Sequence, residues 1–301
     1  MLNASPARAT RAELYEVLDG YLAALAARDP AHCRWTATVS NTENNVALSV
    51  GDGLWGTLTE LGPYDLRFAD VRTGQVGFFG CVVETRDTSP LTIRIKVDSG
   101  RIAEVETIVV RAADSGLKFP EPVFAHKPAL NETLAPEQRV PRERMISLAD
   151  GYFDTLQLND GAIFTRIHPR CLRVENGVQT THNPALTLTA VAGLGCEEQL
   201  RLGYYRYDDR LRARRYEVID EERGLVLAAA FIDHCGRLGK YRLTDGTEVD
   251  SPVRRPHSFY VVELFKIKEG AIEQIEANFI TVPYRMPSPW DDRCSRNADA
   301  G

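Results

Sequence analysis

From Arg11 to Ala27, apolar residues recur at helical spacing. Leu14, Val17, Leu18, Tyr21, Leu22 and Leu25 share one face, while Glu13, Glu16 and Arg28 are left towards water. The pattern returns from Arg142 to Leu158, where Met145, Leu148, Ala149, Tyr152, Phe153 and Leu156 form the stripe. After each helix the period changes. Alternating or β-rich runs cover residues 64–69, 76–84 and 91–97, and a Ser99-Gly100 turn leads into 102–111. The second set covers 212–220, 225–234 and 259–267, and Glu269-Gly270 leads into 271–282. One amphipathic helix followed by long hairpin-linked strands predicts an α+β arrangement. Its antiparallel sheet is expected to curve strongly round the helix, as a cone with one open mouth.

The two sets read as one domain written twice. Asp19-Gly20-Tyr21 answers Asp150-Gly151-Tyr152, Thr42-Glu43-Asn44 answers Val174-Glu175-Asn176, and the hairpin at Gly100 answers that at Gly270. The order is kept while the offset grows, as expected of a duplication with insertions in its second copy, and the period is too long for a solenoid. The expected domains are 8–115 and 140–285, joined by a linker at 116–139 and followed by a tail at 286–301. Five prolines between Phe119 and Pro141 mark the linker.

At 301 residues, with 44% hydrophobic and 26% charged, the chain has the material for two cores. A net charge of −6 and the lack of any Lys/Arg run argue against nucleic-acid or anionic-lipid partners. Arg201, Arg206, Arg210, Arg212, Arg214 and Arg215 interleave with Tyr204, Tyr205 and Tyr207, but acidic neighbours dilute the field and a solvated strand is expected. One or two of those tyrosines could still reach the cone mouth. The sequence shows no signal-peptide core or membrane-spanning stretch, so the cytoplasm is the expected compartment. Cys33, Cys81, Cys171, Cys196, Cys235 and Cys294 are scattered and read as reduced thiols. No dinucleotide, phosphate-loop or metal-ligand spacing is found, so neither cofactor nor metal is expected.

The stretch from Tyr21 to Asp29, the Thr42-Glu43-Asn44 strand start and the Gly-x-Ile hairpin resemble the nuclear-transport-factor-2-like superfamily. That superfamily includes SnoaL-like cyclases, scytalone dehydratase and ketosteroid isomerase. Asn44-Asn45 with Gly53-Leu54-Trp55, Gly74 to Gly80, and the Val282-to-Trp290 segment also resemble a two-repeat bacterial and fungal group within it. The resemblance implies two tandem cones. It also implies isomerase, dehydratase, cyclase, lyase or simple binding functions, because this fold hosts them all.

Carried over residue by residue, the isomerase pattern puts its oxyanion-holding tyrosine at Tyr21 and Tyr152. Its second donor, an acid kept protonated by apolar surroundings, falls at Glu263, where the first copy has Ile93. The general-base position is occupied by Asn44 and Asn176, which cannot take a proton, so steroid isomerisation is not implied. The base role is then left to Glu175, His168, His182, His234 or His257. His168 and His182 are favoured because they flank the strand that carries the family base. His234 reads as a structural or surface residue beside a turn. Asn44, Asn176 and Glu175 are candidates for substrate binding, as are the aromatic Tyr21, Trp55 and Tyr204.

The expectation is cofactor-free acid-base chemistry, as an isomerase, dehydratase or lyase, on a small aromatic, polyketide- or terpenoid-like molecule. A non-catalytic binding protein remains open, as does a structural pseudo-dimer with one vestigial cone. Homo-oligomers through sheet faces remain open as well.

Overall fold

The computed structural model describes residues 9–117 and 119–291. The first half consists of α1 (Arg11–Ala27), β1 (Trp35–Glu43), β2 (Val46–Ala47), the single turn α2 (Leu54–Thr57), β3 (Leu58–Asp70), β4 (Gln75–Glu84), β5 (Asp87–Asp98) and β6 (Arg101–Val109). A connecting segment holds α3 (Pro128–Asn131). The second half consists of α4 (Arg142–Leu158), β7 (Ile167–Glu175), β8 (Val178–Gln179), α5 (Cys196–Arg201), β9 (Arg210–Asp220), β10 (Leu225–His234), β11 (Lys240–Arg242), β12 (Glu248–Asp250), β13 (His257–Lys268) and β14 (Ala271–Val282).

Both long helices coincide with the predicted amphipathic stretches. α1 starts at a capping box, with the Glu13 N–H donating to Thr10 and the Thr10 N–H donating back to the Glu13 carboxylate at 2.7 Å. It stops where Arg28 turns left-handed, and α4 stops in the same way at Asn159. The hairpin turns also match between halves. Ser99-Gly100 and Glu269-Gly270 all have positive φ, as a two-residue turn of this hand requires, and glycine meets that need at the second position in each.

The sheets have the same order, β2-β1-β6-β5-β4-β3 and β8-β7-β14-β13-β10-β9. Each is mixed, because β1 runs parallel to β6 and β7 parallel to β14, and its curvature is modest. The expected strongly curved, purely antiparallel sheet is corrected on both points. Hydrophobic alternation reveals a strand but not a partner sixty or a hundred residues away.

Each helix packs on the inner face of its own sheet. The opposite faces pack on each other, Tyr64, Phe68 and Phe79 against Leu227, Phe231 and Tyr260. These faces are therefore covered within the chain. This interface also buries charge. Arg94 reaches Glu106 at 2.8 Å, Arg215 reaches the same carboxylate at 2.5 Å, and the Trp290 ring lies 4.7 Å from the Arg94 guanidinium. The β9 arginines, expected to be solvated, are instead mostly covered and ion-paired, Arg212 with Asp233 at 2.9 Å and Arg214 with Asp154 at 2.7 Å.

The linker is packed as well. Leu130 and Leu134 are buried, and Lys127 bridges the Tyr64 hydroxyl and Glu276. Cys294 and positions 292–301 of the expected tail lie outside the described residues. Among the described residues no helix is long and apolar enough to cross a membrane, and no group of His, Cys, Asp or Glu is placed to hold a metal.

Candidate functional site

The inner face of the second sheet is not filled by α4, and a cavity of ≈ 120 Å³ opens between them. That is about ten times what one ordered water needs, so the space suits something larger. Small residues flank its acid. Across the sheet, Glu263 on β13 lies between Ala228 on β10 and Ala277 on β14. The same three positions in the first half are Ile93, Phe78 and Thr107. There Phe78 and Ile93 join the core against α1, and Trp55 packs edge-on to Tyr21 at 5.4 Å. Tyr21 and Trp55 thus fill the first half as core aromatics.

Three groups converge on the cavity floor. Tyr152, on the buried face of α4, packs edge-on to Phe265 at 5.3 Å and accepts a hydrogen bond from Arg173 at 3.3 Å. Accepting there leaves its hydroxyl proton free to donate. Arg173, from β7, is fully buried and heavily restrained. It donates to Thr180 at 3.2 Å, to Gln199 on α5 at 2.5 Å and to the Tyr205 hydroxyl, and it faces Glu175 at 3.4 Å. Each partner lowers the cost of burying the guanidinium.

Glu263 is different. The residue is 4% exposed and, among the described residues, its carboxyl has no hydrogen-bond partner. Burial, with the negative charge of Glu175 adding and Arg173 opposing, pushes it up to about 8. At neutral pH it is mostly a carboxylic acid, able to donate. Burial, followed by Glu263, likewise holds the Tyr152 phenol well above its ordinary value.

The walls are apolar, formed by Leu156, Ile232, Phe259, Val261 and Phe279. Segments without counterparts in the first half cover the mouth. Leu188 and Thr189 precede α5, and Pro252 and Val253 follow the β11–β12 ribbon. Tyr204, Tyr205 and Tyr207 stack mutually edge-on there, with the Tyr241 hydroxyl donating to the Tyr204 carbonyl. A second polar group sits in this wall. His234 is 1% exposed, and its Nε2 lies 2.9 Å from the buried Asp208 carboxylate.

Of the residues singled out in the sequence, Tyr152, Glu175, Glu263, Tyr204 and His234 line this one cavity. His168 and His182 do not. His168 lies on the outer part of β7 and accepts from the Arg170 N–H at 3.2 Å, and His182 is exposed beside Gly195. Flanking a strand in sequence did not place them on its inner face.

Asn44 and Asn176 are spent on the main chain. The Asn44 amide donates to the Val109 carbonyl and accepts from the Val109 N–H, and Asn176 does the same with Phe279, each from a left-handed backbone. Their side chains prolong the parallel pairing where β1 and β7 end, which leaves no amide edge for a substrate.

Two contributors were not singled out, Arg173 and Asp208, and His234 was named only among five candidates for the base. A signal for the first was present, since the position that answers Arg173, counted from the shared asparagines, is Asn41. An arginine facing a core demands partners.

Comparison with known proteins adds little chemistry. A family described as a domain of unknown function (DUF8021) matches residues 138–279, the half that holds the cavity. No curated protein matches the chain. Among solved structures, a protein of unknown function with a cystatin-like fold from Methylobium petroleophilum PM1 is 16% identical. The match covers 45% of this chain and 99% of that one, with a TM-score of 0.31. AusH from Aspergillus nidulans is 14% identical over 46% of this chain and 85% of its own, with a TM-score of 0.29. The C. albicans Mtr2–Mex67 M domain complex is 13% identical over 48% and 98%, also at 0.29. These likenesses are too distant to bear on the site. The two-sheet α+β architecture itself fits a tandem arrangement of the kind the sequence resemblance implies.

Proposed function

We propose that the second half binds a small, largely apolar aromatic, polyketide- or terpenoid-like molecule and catalyses its isomerisation, dehydration or lyase cleavage by acid-base chemistry. The observation that carries this reading is the Glu263 carboxyl, which lines the cavity and has, among the described residues, no hydrogen-bond partner. A buried polar group left unpaired costs on the order of 1–3 kcal/mol, and ligand recognition is a common reason to retain one. In this reading Tyr152 and protonated Glu263 donate to a substrate carbonyl oxygen that gains negative charge. Glu175, held at 3.4 Å by Arg173, takes the proton from the carbon beside that carbonyl. The C–H electron pair becomes the enolate, and Glu175 returns the proton at a new position or the enolate expels a leaving group. Two carboxyls line one cavity, one held neutral by burial and the other paired with an arginine, and the acid and base roles divide between them.

Exchange of deuterium from heavy water into enolisable aryl ketones such as β-tetralone reads this chemistry without the natural substrate. Tyr152→Phe should slow exchange roughly a hundredfold, as loss of one oxyanion donor does elsewhere. Glu263→Gln should retain activity because an amide still donates, whereas Glu263→Ala should not, and Glu175→Gln should abolish exchange. If Tyr152→Phe and Glu263→Ala exchange as fast as the wild type, the catalytic reading fails and a ligand-binding protein remains.

A further inference from the structure

We propose that this cavity is two-ended: His234, fixed by Asp208, accepts a hydrogen bond from a hydroxyl at the far end of the ligand whose carbonyl lies at Tyr152 and Glu263. The proposal rests on the ligand reading above and adds the shape and second functional group of the ligand.

His234 pairs with His257 across β10 and β13, and Glu263 lies six positions further along β13 on the same face. The separation along the strand is on the order of 20 Å, yet both residues line the same cavity. Between them stand Ile232, Phe259, Val261 and Phe279, all apolar. A ligand touching both ends therefore needs a long hydrophobic body with an oxygen at each end, as in linked or fused aromatic rings.

The His234 ring is built in rather than draped. It stacks on His257 at 4.7 Å and 17°, meets the edge of Phe259 at 4.8 Å, and lies 6.0 Å from Tyr207. With Nε2 on the Asp208 carboxylate, the proton of the neutral ring belongs on Nε2, and Nδ1 keeps its lone pair. That Nδ1 is buried and, among the described residues, has no partner. A lone pair of this kind accepts from a hydroxyl and gains nothing from a ketone or an ether. In the first half Glu84 answers His234 and is tied instead to Arg111 at 2.7 Å.

Three rod-like probes test this with the purified full chain: biphenyls bearing a para acetyl group, with a hydroxyl, a methoxy group or hydrogen at the opposite para position. Calorimetric titration of the wild type should show the hydroxyl probe binding about tenfold tighter than the other two, the size of one buried hydrogen bond. His234→Phe should bring the hydroxyl probe down to the affinity of the unsubstituted one. Glu263→Leu should weaken all three by a similar factor, because it acts on the acetyl end they share.

A methoxy probe binding as tightly as the hydroxyl one in the wild type overturns the proposal, and that comparison needs no variant to fold. A hydroxyl preference that persists in folded His234→Phe overturns it too, whereas a purely structural His234 would leave the ratio between probes untouched. If no probe binds to the folded wild type, the ligand reading itself falls, an outcome distinct from loss of the hydroxyl preference alone.

Discussion

The two halves share a helix, a strand order and a pair of asparagine clamps, yet the space beside the middle of the sheet is filled in one and hollow in the other. The difference comes down to a few side chains on the same scaffold. Phe78 and Ile93 in the first half become Ala228 and Glu263 in the second, Asn41 becomes Arg173, and loops inserted before and after β9 and β10 cover the mouth. A hollow interior costs packing, and a charged one costs desolvation. The second half carries both, offset by the five partners of Arg173. The first half builds the same scaffold with Phe78 and Ile93 packed against its helix, so the cavity is not a requirement of the fold.

Exchanging the fillers is the strongest test of this contrast. Phe78→Ala removes a buried aromatic from a close-packed core and should cost about 3–5 kcal/mol in urea unfolding. Ala277→Phe, at a residue that lines the cavity, should place a ring in existing space and block binding of the biphenyl probes while costing far less. Equal destabilisation by the two changes would mean that the second half is as tightly packed as the first.

A smaller effect separates the halves by pH. The folded value of Glu263, about 8, is raised above its ordinary 4.5. Its contribution to stability is therefore fully present below pH 4.5 and is lost as pH rises towards and through 8. Between pH 5.5 and pH 7 the wild type should lose on the order of 2 kcal/mol relative to Glu263→Gln. The same substitution at Ile93 introduces no titrating group. Parallel stability curves for wild type and Glu263→Gln over that range would show that the carboxyl is ionised and solvated.

The smallest prediction is an equality. Asn44→Ala and Asn176→Ala each remove two hydrogen bonds to main chain, and each should cost about 1–2 kcal/mol. Probe affinity should change in neither. A selective loss of binding in Asn176→Ala would restore the substrate role that the sequence first suggested for it.

Much of the fold was legible from local chemistry. Helical spacing placed α1 and α4, and two-residue turns with glycine placed the hairpins, because propensity and turn geometry act over a few residues. The contrast at Ile93 and Glu263 was legible because duplication supplies an internal alignment. The histidines were misread for a definite reason. Strand alternation gives two faces without saying which is inner and says nothing of loops. His168 lies near the start of β7, His182 in the loop after β8, and His234, which looked like part of a turn, ends β10 and lines the cavity.

The sequence alone thus determined two copies of one helix-and-sheet unit, and an acid in one of them where the other has an aliphatic residue. Only the tertiary structure decided what that acid meets. The parallel pairing of β7 with β14 joins segments about a hundred residues apart, so no local pattern encodes it. Folding brings Arg173, Tyr152, Glu263 and the Asp208–His234 pair round one space from five different parts of the chain. Their burial then sets their protonation, through a local dielectric that exists only once the sheet has closed over the helix.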